Sequence, residues 1–101
     1  MAGVRHVVVF NWTAEATEEQ RARVVEALST LPAAVPEIRA YAFGPDLGIN
    51  AGGGDFAVVA DFADESDYLA YRDNAEHRRI IDEVIHPIMA SRSAVQYRLA
   101  D

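Results

Sequence analysis

The sequence predicts an α+β domain with its elements in the order β-α-β-β-α-β. Three observations predict it. Four segments carry strand-forming residues that alternate with a period of two. Helical apolar stripes separate the first segment from the second and the third from the fourth. Pro, Gly and capping residues punctuate the joins.

Val4 to Trp12, VRHVVVFNW, is the first strand, because Val, Phe and Trp dominate it and it has neither Gly nor Pro. One face carries Val4, His6, Val8, Phe10 and Trp12, and the other carries Arg5, Val7, Val9 and Asn11. Both faces are substantially apolar, so both need cover. A chain of 101 residues can cover one face with its own helices, and the second is expected to meet another copy.

Thr17, followed by Glu18, Glu19 and Gln20, is a capping-box pattern that opens a helix over Glu18 to Leu31. Its stripe is Val24, Val25, Leu28 and Leu31, with Ala27 beside it, and Pro32 ends it. Glu37 to Phe43 is the second strand. The loop GPDLGINAGGGD then returns the chain. Its Gly52-Gly53-Gly54 run is followed by neither Lys nor a helix start, so a hairpin loop is expected rather than a phosphate cradle. Asp55 to Phe62 is the third strand, with Phe56, Val58, Ala60 and Phe62 on one face. Asp64 caps a short helix, Glu65 to Asp73, that carries Tyr68, Leu69 and Tyr71. The stretch Asp73 to Glu76 breaks that helix and caps a longer one, Ala75 to Ile85, with Ile80, Ile81, Val84 and Ile85 as its stripe. Pro87 makes its end irregular. Ser93 to Leu99 is the last strand. The sum is a ferredoxin-like protomer: one domain over residues 1–101, with a four-stranded antiparallel sheet and helices on one face. Two such sheets stacked back to back would form a dimeric α/β barrel.

Composition narrows the function. The net charge is -7, which argues against nucleic acid and anionic membrane partners. There is no Cys, hence no disulfide, thiol nucleophile or Cys-ligated metal. All 9 basic residues are Arg, which removes Schiff-base and Walker-type lysine chemistry. No signal peptide or membrane span is visible, and a soluble cytoplasmic protein is expected.

The opening HVVVF strand, the DFAVVADF third strand, the Tyr71–x5–His77 crossing between the second and third helices and the terminal strand together resemble the stress-responsive dimeric α/β barrel (Dabb) family. The resemblance covers nearly the whole chain. It implies a homodimer joined through the sheet face. The family includes a plant polyketide (olivetolic acid-type) cyclase, whose catalytic Tyr and His, and a nearby His on the first strand, match Tyr71, His77 and His6. The chain departs from the family at two places. Where members show His-Pro-Ala-His, this chain has Asn74, Ala75, Glu76 and His77. Where the cyclase has a His on its third strand, this chain has Phe56.

A neutral imidazole can take a proton α to a carbonyl, and a phenol can hold the oxygen that becomes an enolate. On that chemistry His77 is the general base, Tyr71 the carbonyl polariser and His6 an orienter or substrate contact. Val8, Phe10, Phe56 and Ile81 are the expected apolar pocket for a small hydrophobic carbonyl ligand. No metal or organic cofactor is required. The bland readings are a hydrogen-bonded core His6, a solvated His77 at a helix start and a Tyr71 that is simply core. His86 is expected to be structural. Arg78 and Arg79, beside Glu76, Asp82 and Glu83, read as a solvated helix face. The function classes left open are a cofactor-independent cyclase or lyase, a non-catalytic ligand-binding or structural dimer, and a dimeric α/β barrel monooxygenase.

Overall fold

The computed structural model describes residues 3–100. The strands are β1 (Val4–Trp12), β2 (Ala40–Pro45), β3 (Phe56–Phe62) and β4 (Met89–Arg98), in one sheet of order β2-β3-β1-β4. Every neighbouring pair is antiparallel. The helices are α1 (Glu18–Leu28), α2 (Leu31–Ala34), α3 (Glu65–Asp73) and α4 (Ala75–Ile80). This is the ferredoxin-like fold that the alternation predicts.

The alternation of β1 decides what is inside. Val4, His6, Val8 and Phe10 are buried, and Arg5, Val7 and Val9 between them are half-buried. On β3, Phe56, Val58, Ala60 and Phe62 are buried on the same side. Val24, Leu28 and Leu31 close over this layer together with Ile80, Val84, Ile85 and Ile88. Each large side chain fully removed from water there contributes about 1.5–3 kcal/mol.

Several boundaries differ from the sequence expectation, each for a local reason. The first helix stops at Leu28 rather than Leu31, because the hydroxyls of Ser29 and Thr30 turn back to the carbonyls of Glu26 and Ala27. Leu31 then starts its own turn, and Pro32 sits at the beginning of that turn, where a missing N–H costs nothing. Val25 is solvent-exposed rather than part of the stripe, and so is Leu69 on α3. The second strand begins at Ala40, because the amide of Ile38 closes a turn onto the carbonyl of Val35 at 3.2 Å. The last strand begins early, at Met89, which pairs with Trp12 across a register shift. The long helix does not run on to Ile85. It widens into a π-helical turn over Ile81–Ile85, where the His86 amide donates to the Ile81 carbonyl, and then tightens to a 3₁₀ turn over His86–Ile88. Pro87 lies within that last turn.

The glycine loop joins β2 to β3 as a hairpin. Gly48 and Gly52 have φ of 77° and 81°, a backbone region that excludes most side chains. Among the described residues no helix is long and apolar enough to cross a membrane.

Candidate active site

The antiparallel register lines up Tyr41, Ala60, His6 and Gln96 as one row across the sheet, on the side the helices cover. His6 is 7% exposed and lies among large apolar side chains. The Gln96 side-chain amide donates to His6 Nδ1 at 2.9 Å. Nδ1 is therefore an acceptor, and the neutral ring carries its proton on Nε2. Burial, helped by the positive charge of Arg92 and by His77, pushes the His6 pKa down to about 4. At neutral pH His6 is an uncharged N–H donor.

His77 has the opposite arrangement. Asn74 terminates α3 and caps α4, and its side-chain oxygen accepts from the amides of Glu76 at 2.9 Å and His77 at 3.1 Å. That cap holds His77 in the first turn of α4, 9% exposed. His77 Nδ1 lies 3.2 Å from the Arg72 carbonyl, an acceptor only, so Nδ1 carries the proton and Nε2 a lone pair. Burial lowers its pKa; the Arg72 carbonyl opposes this, while the Arg78 and Arg92 charges reinforce it. His77 is thus uncharged, with a basic nitrogen. Among the described residues no buried side-chain nitrogen or oxygen lacks a partner. Among those residues neither Nε2 has a hydrogen-bond partner, so both are reachable from solvent.

Tyr71 on α3 lies between the two rings. Its ring centre is 4.1 Å from that of His77 and 6.1 Å from that of His6. Its hydroxyl is 3.1 Å from the hydroxyl of Tyr41. Burial raises both phenol pKa values, that of Tyr41 to about 12, so both stay protonated donors.

These groups line a cavity of about 220 Å³ between the sheet and the α3–α4 layer. A dry cavity of about 150 Å³ can hold benzene, so the space admits a ring-sized ligand. His6, Tyr71 and His77 all reach it, as do Val8, Phe10 and Ile81. Phe56 does not. It is buried one end of the sheet away, against Trp12 and Phe43. Ile81 and Ile85 come to the wall from the π-helical turn, a feature frequent at functional sites.

Sequence reasoning missed Tyr41 and Gln96, which hold the predicted residues in place, and also Tyr68, whose ring centre is 5.1 Å from that of His6. The visible signal was Gln96 in alternation with Val95 and Tyr97. Arg78, expected on a solvated face, reaches the cavity. His86 lies at its rim, with Nδ1 3.5 Å from Asp82. Among the described residues no three His, Asp or Glu side chains converge as metal ligands would.

The family model of the stress responsive A/B barrel domain (Dabb) matches residues 4–99. A dimeric ferredoxin-like protein of unknown function from Thermobifida fusca is 48% identical, with a TM-score of 0.90 over 97% of this chain and 92% of that one. A dimeric ferredoxin-like protein of unknown function from Bacteroides fragilis is 25% identical, with a TM-score of 0.80 over 96% of each chain. A hydroxynitrile lyase from Passiflora edulis is 20% identical, with a TM-score of 0.85 over 98% of this chain and 94% of that one, a likeness of fold. No curated protein matches the chain.

Proposed function

The chain belongs to the stress responsive A/B barrel (Dabb) family, and from that premise we propose a homodimeric, cofactor-independent acid–base enzyme acting on a small carbonyl compound. His77 Nε2 takes the proton α to the carbonyl. The C–H electron pair moves into the C–C bond, and the carbonyl oxygen gathers the negative charge. Tyr71 donates to that oxygen while Tyr41 donates to Tyr71, and the N–H of His6 is the second donor. The enolate can then close an aldol bond or expel a leaving group, and His77 returns the proton.

The observation that carries this reading is the opposite hydrogen-bond partners of two buried imidazoles on one cavity, a side-chain amide at Nδ1 of His6 and a backbone carbonyl at Nδ1 of His77. One is set to accept and the other to donate, with a protonated phenol between them. The hydroxynitrile lyase from Passiflora edulis lends support in that a protein of this fold is a lyase.

The homodimer rests on the uncovered face of the sheet. Ala42, Val59, Val7 and Val95 form one apolar row there, and Val95 and Tyr97 stay 55% and 46% exposed in a single copy. A second copy seated face to face would cover that row.

The test is exchange of α-protons into deuterium oxide, followed by proton NMR on a panel of aryl and alkyl methyl ketones that includes acetophenone. Exchange above the buffer rate, abolished in His77→Ala, is expected. A panel that exchanges no faster than buffer overturns the acid–base reading.

A further inference from the structure

The same cavity carries a charge pattern that the acid–base reading leaves unused. The chain has 16 acidic residues and only 9 Arg. Yet Arg72, Arg78 and Arg92 line the cavity and no Asp or Glu does. In so acidic a protein, a pocket with cations and no carboxylate is a marked segregation.

The nearby acids are engaged elsewhere. Asp73 holds Arg72 with two bonds, at 2.9 and 3.2 Å. Glu76 pairs with Arg79, and Glu83 stands 3.9 Å from the same guanidinium. Asp82 faces His86. That leaves Arg78 on α4 and Arg92 on β4, neither of which has an ion-pair partner among the described residues. The two come from opposite walls. Arg78 follows His77 on the helix, and Arg92 pairs in register with Phe10 on the covered face of the sheet.

We propose that Arg78 and Arg92 form a carboxylate subsite at the mouth of this pocket, and that its substrate is a small oxo acid. This rests on the reading of His77, Tyr71 and His6 as the carbonyl-handling end. A guanidinium presents a planar fork that matches a carboxylate with two parallel bonds. An anion seated there leaves the apolar wall of Val8, Phe10 and Ile81 for the carbon skeleton and the inner polar groups for the keto oxygen. The cations also draw a negatively charged substrate toward a protein whose overall charge would repel it.

Binding of benzoate and of benzamide, its neutral isostere, is measured by titration calorimetry on the full chain. Benzoate is expected to bind about tenfold more tightly than benzamide, and added salt should narrow that gap. Arg92→Gln and Arg78→Gln should each weaken benzoate about tenfold and leave benzamide unchanged. Arg92→Lys should recover part of the loss. Equal binding of the two probes, no binding of either at millimolar concentration, or a benzoate affinity indifferent to both arginine variants overturns the subsite. Its failure is separable from failure of the acid–base reading. Ketone exchange with no benzoate preference sinks only the subsite, and benzoate preference with no exchange sinks only the proton chemistry.

Discussion

Residues 5 and 6 are neighbours on one strand and show what the two faces of this sheet do with polar groups. Arg5 lies on the open face, where it meets Asp61 through two bonds of 2.7 and 2.9 Å. Each ion satisfies the other, and together they hold the Asp61 carboxyl below its usual range. His6 lies on the covered face, where one bond to Gln96 leaves half the ring uncommitted. The open face pairs its two ions with each other and carries the apolar row of Ala42, Val59, Val7 and Val95, as a surface meant for another copy would. The covered face keeps a polar group whose second nitrogen has no partner among the described residues, as a surface meant for a ligand would.

The harshest way to break the comparison is a carboxylate on each face in turn. Val8 is 3% exposed and Val7 is half-buried. In Val8→Asp an unpaired charge enters the core at a cost of several kcal/mol, comparable with the whole stability of a small domain. Circular dichroism should find it unfolded. Val7→Asp should keep its native spectrum and sediment as a monomer. If Val7→Asp sediments like the parent, the open face is not the joining surface.

The next largest effect belongs to the covered face alone. Tyr71→Phe removes the donor to the developing oxyanion without changing ring packing. The exchange rate should fall about 10²-fold or more, while stability falls only by the one hydrogen bond to Tyr41, about 1 kcal/mol. An equal fall in Asp61→Asn, on the other face, would mean that exchange reports general damage rather than the site.

Much of this division was legible in the sequence, and its limits are physical. The period of two separated His6 from Arg5, and capping residues located α1, α3 and α4. Periodicity alone could not say which face the helices would take, because Val7 and Val9 are as apolar as Val8. That choice depends on packing from Val24, Leu28 and Ile80, distant in sequence. Tyr71 and His77 stood out through the resemblance to the Dabb family, as the Tyr–x5–His pair that crosses between two helices. Tyr41 and Gln96 did not, because only the register of β2-β3-β1-β4 puts them in the row of His6. The last strand hid its role for a further reason. Its large apolar members, Val95 and Tyr97, belong to the open face, and Gln96 and Arg92, its long polar ones beside the cavity, to the covered face.

The acid side of the pH scale should separate the faces again, with a smaller effect. The His6 pKa is lowered from 6.5 to about 4 in the fold, so the unfolded chain binds more protons between those values. Neutral His6 is fully compatible with the fold above pH 6.5, and stability falls as pH drops toward 4. The loss amounts to about 3 kcal/mol at the lower end, and burial of His77 adds to it in the same direction. Urea midpoints taken from pH 7 to 4.5 should drop, and His6→Gln should flatten the slope. An unchanged slope in that variant would mean that His6 is not the group taking up the proton.

The smallest effect tests whether the covered face acts as a chain of groups or as isolated ones. Tyr41→Phe removes a hydroxyl that touches Tyr71 at 3.1 Å, and the ring remains to pack against Phe43. Stability should fall by about 1 kcal/mol, the worth of one buried hydrogen bond. The exchange rate should fall several-fold, less than in Tyr71→Phe, because Tyr71 keeps its own proton but loses the donor that polarises it. In a Tyr41→Phe/Tyr71→Phe double variant the rate should match that of Tyr71→Phe alone. If the two losses multiply instead, Tyr41 reaches the ligand directly, and the donor row on the sheet is one group longer than the hydrogen-bond pattern requires.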